Sequence, residues 1–505
     1  MSGEKKLKIP TLQTGVKGLD EILGGGLPEY SFNIIAGAPG GGKTTLAHQI
    51  VFANATPERP ALFFTVMGEP ALKMLRYQQQ FSFFDPAKLN TCIRFINLSS
   101  MLVETNLNAV LEYIIKEVEA SSPSFVVVDS FRALMRHTQG AANEGDRQGT
   151  IHRLALFLTT WQATTFLIGE YSEREVQNNP DFTVADGVIW LSQKIERNSI
   201  VRKLQVMKLR GQDSVPGLHT FRISQAGLES FPLTFGLLGK KEARKESHRL
   251  SCGVAEIDAL LGGGIPAGDS MLIAGPSGSG KSLLGSNFIA EGLRLGEPGV
   301  VAVFEERPDG YVYRAASLGM DFKPHIASGM LNVLYLRPLD LSVDETVHEI
   351  VAAVNANGAK RLVIDSLAGL EMALAPGFKT DFRESLYRMI AALTRLGVTI
   401  VSTVEVQETF TGFPLSSYAI SFLADDILRL RYVSINGQLR KVMVVIKMRS
   451  SAHSSELFEY QITPTGIVRG DPIRGFSGLT SGIPTTDPNA AFPEENRIGP
   501  PGNLP

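Results

Sequence analysis

Cysteine is almost absent from this chain. Only Cys92 and Cys252 occur in 505 residues, which excludes a disulfide framework. Charge of one sign is absent too: 49 Lys and Arg face 51 Asp and Glu, for a formal net charge of −2. That balance gives no electrostatic footprint for nucleic acid or for an anionic membrane. No uninterrupted apolar run approaches membrane-spanning length. The opening segment MSGEKKLKIPTLQTG lacks the apolar stretch of a secretory signal, so the expected compartment is the cytoplasm. The eight histidines show no H-x-x-x-H or Cys/His ligand spacing. Neither a structural zinc nor a catalytic triad is indicated.

What is present is a phosphate-binding loop, twice. GAPGGGKT runs from Gly37 to Thr44, and GPSGSGKS runs from Gly275 to Ser282, a displacement of 238. Each fits G-x-x-x-x-G-K-[ST], follows a short apolar run and leads into a helix-compatible stretch. Glycines let successive backbone N–H groups turn onto phosphates, lysine neutralises the β/γ oxygens, and the hydroxyl ligates Mg²⁺. The residues expected to hold ATP are Gly37, Gly40, Gly41, Gly42, Lys43, Thr44 and Thr45 in the first loop. In the second they are Gly275, Gly278, Ser279, Gly280, Lys281, Ser282 and Leu283. Two matches in equivalent contexts predict two nucleoside-triphosphate sites per chain.

The repeat extends beyond the loops. Thr14-Gly15-Val16 and Asp20 to Pro28 return as Cys252-Gly253-Val254 and Asp258 to Pro266; FVVVDS at 125–130 returns as RLVIDS at 361–366. Lys208-Leu209-Arg210 returns as Lys447-Met448-Arg449. A nearly constant displacement over about two hundred residues signifies duplication of a whole domain, too long a period for a solenoid. Apolar runs at Ala61–Val66, Val301–Phe304, Thr165–Gly169 and Val398–Thr403 read as buried strands alternating with helices. The expected fold is α/β, with a mainly parallel sheet flanked by helices in each copy. The expected boundaries are 1–239 and 250–470, joined by a charged linker at 240–249 and followed by an extended or disordered tail at 471–505.

Asp129 and Asp365 each end an apolar strand before a serine, the placement of a Walker B carboxylate. The expected metal set is therefore Thr44 and Asp129 in one copy, Ser282 and Asp365 in the other. The copies diverge after the next strand. Val301–Phe304 is followed by Glu305 and Glu306, adjacent carboxylates able to polarise a nucleophile. Aligning Pro70 with Pro308 puts Met67 and Gly68 opposite them, with Glu69 one position off. The pairs Lys208/Arg210 and Lys447/Arg449 alternate around an apolar residue, so both cations of each pair share one strand face. Such cations can stabilise transition-state charge at a neighbouring subunit's γ-phosphate. Arg147 and Arg383 recur at the Walker B displacement and are weaker candidates for the same work.

Taken together these residues resemble the KaiC family of double-domain RecA-like ATPases and autokinases of the circadian clock. The resemblance covers nearly the whole chain. It rests on TGVKGLDEILGGGLP and CGVAEIDALLGGGIP, on FEERPD at 304–309 and AASLGMDF at 315–322, and on KMRSSAH at 447–453. It implies tandem RecA-like P-loop domains, a double-ring homohexamer, and ATP at subunit interfaces reached by the Lys–Arg pair of the adjacent protomer. It also implies an ATPase first ring, a second ring that phosphorylates its own Ser/Thr, and a small KaiB-like regulator as partner. Three positions depart from the family pattern. Met67 and Gly68 replace a glutamate pair, Ser421-Phe422 replaces an adjacent Ser–Thr phosphosite, and Ser450 replaces a glycine. The expected catalytic set is Glu305, Glu306, Lys281, Lys447 and Arg449, with Ser421 as phosphoacceptor. The second domain is expected to turn over ATP while the first mainly binds it.

Two readings of other classes stand beside this one. A RecA-type recombination ATPase has the same fold, since fold does not settle function; the segment Met135–Arg147 has mixed charge and no aromatic stacking platform. A nucleotide-gated scaffold with little turnover is opposed by the complete second site.

Overall fold

A computed structural model describes residues 9–66, 71–104, 107–136, 144–172, 175, 181–196, 199–233 and 248–336. It further describes 342–373, 382–406, 424–435, 437–449, 451–463, 466–474, 476–477 and 485–486. The chain folds as two units, Met1–Gly236 and Leu237–Pro505.

Each unit is built on a nine-stranded sheet. Across the first, the order is Gly227–Phe231, His219–Ser224, Ser199–Leu209, Gly187–Glu196, Phe32–Gly37, Thr164–Glu170, Phe125–Asp129, Ala61–Thr65 and Ile93–Asn97. Across the second it is Gly466–Pro472, Phe458–Thr463, Gln438–Met448, Asp426–Ile435, Ser270–Gly275, Thr399–Glu405, Arg361–Asp365, Gly299–Val303 and Leu331–Tyr335. The topologies are the same. Six strands run parallel around the P-loop strand, and three antiparallel strands extend one edge. The antiparallel extension is the part that the apolar runs did not delineate.

Strand alternation sends neighbouring residues to opposite faces, and both faces are covered. Val126 and Val128 pack with Ile114 and Val118 of the helix Leu107–Ser121. Phe125 and Val127 pack with Leu46 and Ile50 of the P-loop helix Lys43–Asn54. The second unit repeats this arrangement: Leu362 and Ile364 meet Val347 and Ile350, whereas Val363 meets Leu284 and Phe288. Burial on both faces is why these strands read as continuous apolar runs rather than alternating ones.

The repeated segments ahead of each P-loop have a structural task. Thr11–Leu12 pairs with Leu27–Pro28, and Arg249–Leu250 with Ile265–Pro266. Asp20 accepts from the Thr14 backbone N–H at 2.8 Å, and Asp258 does the same for Cys252 at 2.8 Å. Beyond the second sheet, which runs on to Pro472, a two-residue pair joins Phe476–Ser477 to Thr485–Thr486 within the segment expected to be extended.

Candidate functional site

Both P-loops follow the carboxyl end of the central strand and open a helix whose N-cap glycine is left-handed. Gly42 has φ +89° and Gly280 φ +93°, with no side-chain cap on either helix. A Cβ at Gly42 would stand 2.6 Å from Ile223 Cδ1, which would have to turn aside, and the left-handed φ itself favours glycine. The uncapped helix N-termini leave backbone N–H groups available to an anion. Lys43 Nζ donates to Ala38 O at 2.8 Å, and Lys281 Nζ to Pro276 O at 2.8 Å. Thr45 is half-buried in the same turn. Leu283 points into the core, so only its backbone can serve a phosphate.

The register brings the Walker B strand two places from the P-loop strand, with one strand between them. In the first domain Thr44 Oγ1 donates to Asp129 Oδ2 at 2.7 Å. Burial raises the Asp129 pKa, while Thr44 and Lys43 oppose that rise. In the second, Asp365 Oδ1 accepts from Thr403 Oγ1 at 2.6 Å. A hydroxyl and a carboxylate at the phosphate end of the loop are hard oxygen donors suited to Mg²⁺. Both Asp–Ser peptides after these carboxylates are cis.

Intervening strands deliver a carboxylate that sequence reasoning passed over. Glu170 pairs with Gly37 in register, and Glu405 with Gly275. Burial lowers the Lys43 pKa against the opposing pull of Glu170 and Asp129. Burial lowers that of Lys281 too, but three carboxylates oppose it: Glu405, Asp365 and Glu305. The recurrence of Glu at a displacement of 235, just past each apolar run, is the signal that could have found them.

In the second domain the glutamate pair follows the strand Gly299–Val303. Val303 lies opposite Asp365, as Thr65 lies opposite Asp129, so Glu305 and Glu306 follow the equivalent strand end. Glu305 Oε1 accepts from Ser366 Oγ at 2.7 Å, and Glu306 is ion-paired with Arg314. Met67, Gly68, Glu69, Ser421, Phe422 and Ser450 lie outside the described residues. So does the Arg147 side chain.

Tyrosines also brace the second loop: Tyr460 OH donates to Ser279 O at 2.6 Å, and Tyr432 OH to Ser277 O at 3.3 Å. Ser279 Oγ itself bonds Pro276 O at 2.8 Å. The first loop receives Gln193 Nε2 on Pro39 O at 3.1 Å.

The Lys–Arg pairs sit at the other end of the sheet from their own P-loops. Lys208 pairs with Val188, which is level with Ile34, three residues before Gly37. At about 3.3 Å per residue this is roughly 10 Å along the strand. Lys208 Nζ donates to Thr183 O at 3.0 Å, and Arg210 meets Asp186 at 3.3 Å. Lys447 Nζ donates to Ala424 O at 2.7 Å, and Arg449 meets Asp425 at 3.2 Å.

Two RecA-like sheets, each with a P-loop lysine facing a Walker B carboxylate, define a tandem P-loop ATPase. The family model described as the KaiC ATPase matches residues 12–234 and again 250–471. The circadian clock oscillator protein KaiC of Picosynechococcus sp. is 28% identical over 487 residues, covering 94% of this chain and 93% of the relative. That of Rippkaea orientalis is 29% identical over 495 residues, covering 94% and 92%. KaiC 1 of Synechocystis sp. is 28% identical over 489 residues, covering 94% and 92%. The chain belongs to the KaiC ATPase family. No described helix is long and apolar enough to cross a membrane.

Proposed function

We propose that this protein is a cytoplasmic KaiC-type ring that binds Mg-ATP at both P-loops, hydrolyses it mainly in the second domain, and phosphorylates its own Ser421. The observation behind this reading is the convergence of Glu305, Asp365 and Glu405 on Lys281. Among the described residues of the first domain, the carboxylates acting on Lys43 are Glu170 and Asp129.

In this reading the glycines and helix N-termini orient the triphosphate, and Lys43 and Lys281 offset its charge. Thr44 with Asp129, and Ser282 with Asp365, would hold Mg²⁺, which supplies neutralisation of charge on the β/γ oxygens. Glu305 accepts the proton of water, or of the Ser421 hydroxyl, as the new bond to the γ-phosphorus forms and the bond to ADP breaks. Lys447 and Arg449, and in the first ring Lys208 and Arg210, act on the nucleotide of a neighbouring protomer. Their place at the opposite end of the sheet supports action in trans, and with family membership supports a homohexamer. A small regulator resembling KaiB is the proposed partner, and signalling or timing the proposed role.

The test is radiolabelled-ATP turnover by the purified protein beside Glu305→Gln/Glu306→Gln and Ser421→Ala variants. Turnover is expected to fall about 10²-fold or more in the glutamate variant, and protein labelling to disappear. Ser421→Ala should lose label while still releasing phosphate. Full turnover without both glutamates would sink the assignment to the second site.

A further inference from the structure

The two glutamates beyond Gly299–Val303 have different partners, and the difference originates at an arginine that no quoted motif includes. Arg314 lies on the helix Pro308–Ala316. Its guanidinium is ion-paired with Glu306 Oε1, stands 3.7 Å from Asp365 Oδ2, and lies over the Tyr311 ring at 5.4 Å. Tyr311 is 1% exposed, and its OH accepts from Ser286 Oγ at 2.9 Å. Ser286 is one turn beyond Ser282 on the P-loop helix. A continuous series of contacts therefore joins the phosphate-binding helix to Glu306 through Tyr311 and Arg314. Glu305 has no part in it and accepts instead from the Ser366 hydroxyl.

The first domain retains only one member of this series. At the displacement of 238, Arg76 stands for Arg314, but Lys73 stands for Tyr311, His48 for Ser286 and Gly68 for Glu306. Arg76 is exposed. The glutamate that the arginine holds in the second domain has no counterpart at the matching position of the first.

We propose that Arg314 is a positioning residue for ATP turnover in the second domain: it ties Glu306 beside Asp365 and leaves Glu305 as the carboxylate that accepts the proton. The inference rests on the second-site reading above. Without the guanidinium, Glu305, Glu306 and Asp365 place three like charges next to a triphosphate, and Glu306 loses the partner that fixes its rotamer. A planar, two-sided donor suits this task better than an ammonium.

The test compares steady-state turnover and fluorescent-ATP binding, with and without Mg²⁺, in full-length Arg314→Ala, Arg314→Lys, Glu306→Ala and Arg314→Ala/Glu306→Ala proteins. Arg314→Ala is expected to lower kcat about tenfold or more, with KM within about twofold. Lysine should recover part of the loss. The double variant should be no slower than Glu306→Ala alone. Nucleotide binding without Mg²⁺ and the melting temperature should stay near the parent's, because Arg314 is 40% exposed. Unchanged kcat in Arg314→Ala, a loss confined to KM, or losses that multiply in the double variant would overturn the proposal. Glu305→Gln run alongside separates the causes: if it leaves turnover intact, the second-site reading itself has failed; if it abolishes turnover while Arg314→Ala does nothing, only this inference has.

Discussion

Past the strand Gly299–Val303 the second domain has Glu305 and Glu306; past the equivalent Ala61–Thr65 the first has Met67 and Gly68. The loops that hold phosphate nevertheless turn the same way, with Gly42 and Gly280 within a few degrees of each other. Both lysines reach back to a loop carbonyl at 2.8 Å. Duplication has preserved the apparatus for binding, which depends on backbone geometry. The apparatus proposed for turnover depends on a few side chains at a strand end, and there the copies diverge. Their cores diverge too. Arg361, 0% exposed, donates to Glu297 at 2.7 Å and to the carbonyls of Ser251 and Phe288 at 2.6 and 2.8 Å. The first domain has Phe125 there, with Arg59 over its ring at 5.2 Å and ion-paired to Glu29. In the first domain the cation stands instead at the half-exposed position, and an aromatic ring fills the buried one.

The largest effect that would sharpen this contrast is on stability. Arg361→Ala is expected to destabilise the second domain by about 3–5 kcal/mol, because Glu297 and two carbonyls lose a buried partner. Arg59→Ala, at a solvated ion pair, should cost no more than about 1 kcal/mol. Denaturant melts of each variant, read by domain-resolved hydrogen exchange, would reveal equal costs if the comparison is wrong.

A gain of function tests the catalytic contrast directly. In a Lys281→Ala background that silences the second site, Met67→Glu/Gly68→Glu should raise residual phosphate release about tenfold, a modest part of what a positioned base contributes. No increase would mean that the first domain lacks more than a carboxylate.

The smallest effect is a pH dependence confined to one half. His48, stacked on Phe63 at 4.4 Å, is fully buried, and burial holds its pKa at about 3, far below the ordinary 6.5. Between those values the unfolded chain binds a proton that the folded domain does not. Stability from this group is complete above about pH 6.5 and falls as pH drops toward 3, by about 1.4 kcal/mol per unit at most. His219, also in the first domain, is shifted down by burial as well. The second domain has Ser286 at the His48 position. Acidification from pH 7 to 5 should lower the hydrogen-exchange protection factors, corrected for the intrinsic rate at each pH, in the first domain before the second, and His48→Gln should reduce the gap.

Much of the site was legible because its chemistry is local. A P-loop is eight consecutive residues, and the Walker B aspartates announce themselves at the end of apolar runs. The parts that escaped come from strands and helices distant in sequence. Glu170 and Glu405 sit one and two residues past segments read only as buried strands. Arg314 looks like any surface arginine until its helix folds against Asp365. The antiparallel strands His219–Ser224 and Phe458–Thr463 have too weak an apolar signal to predict, yet one of them supplies Tyr460 to the second loop.

By itself the sequence determined that there are two nucleotide-binding domains of one ancestry, which residues could touch phosphate, and that only the second has a glutamate pair. These follow from short-range spacing and from repetition, both of which survive without a third dimension. Only the tertiary structure decided that the Lys–Arg pairs lie at the far end of the sheet from their own P-loops, because register, not sequence distance, sets which strand ends are level. It also decided that Glu306 belongs to Arg314 and Glu305 to Ser366, since adjacent residues leave a strand end in different directions and find partners that no linear spacing records.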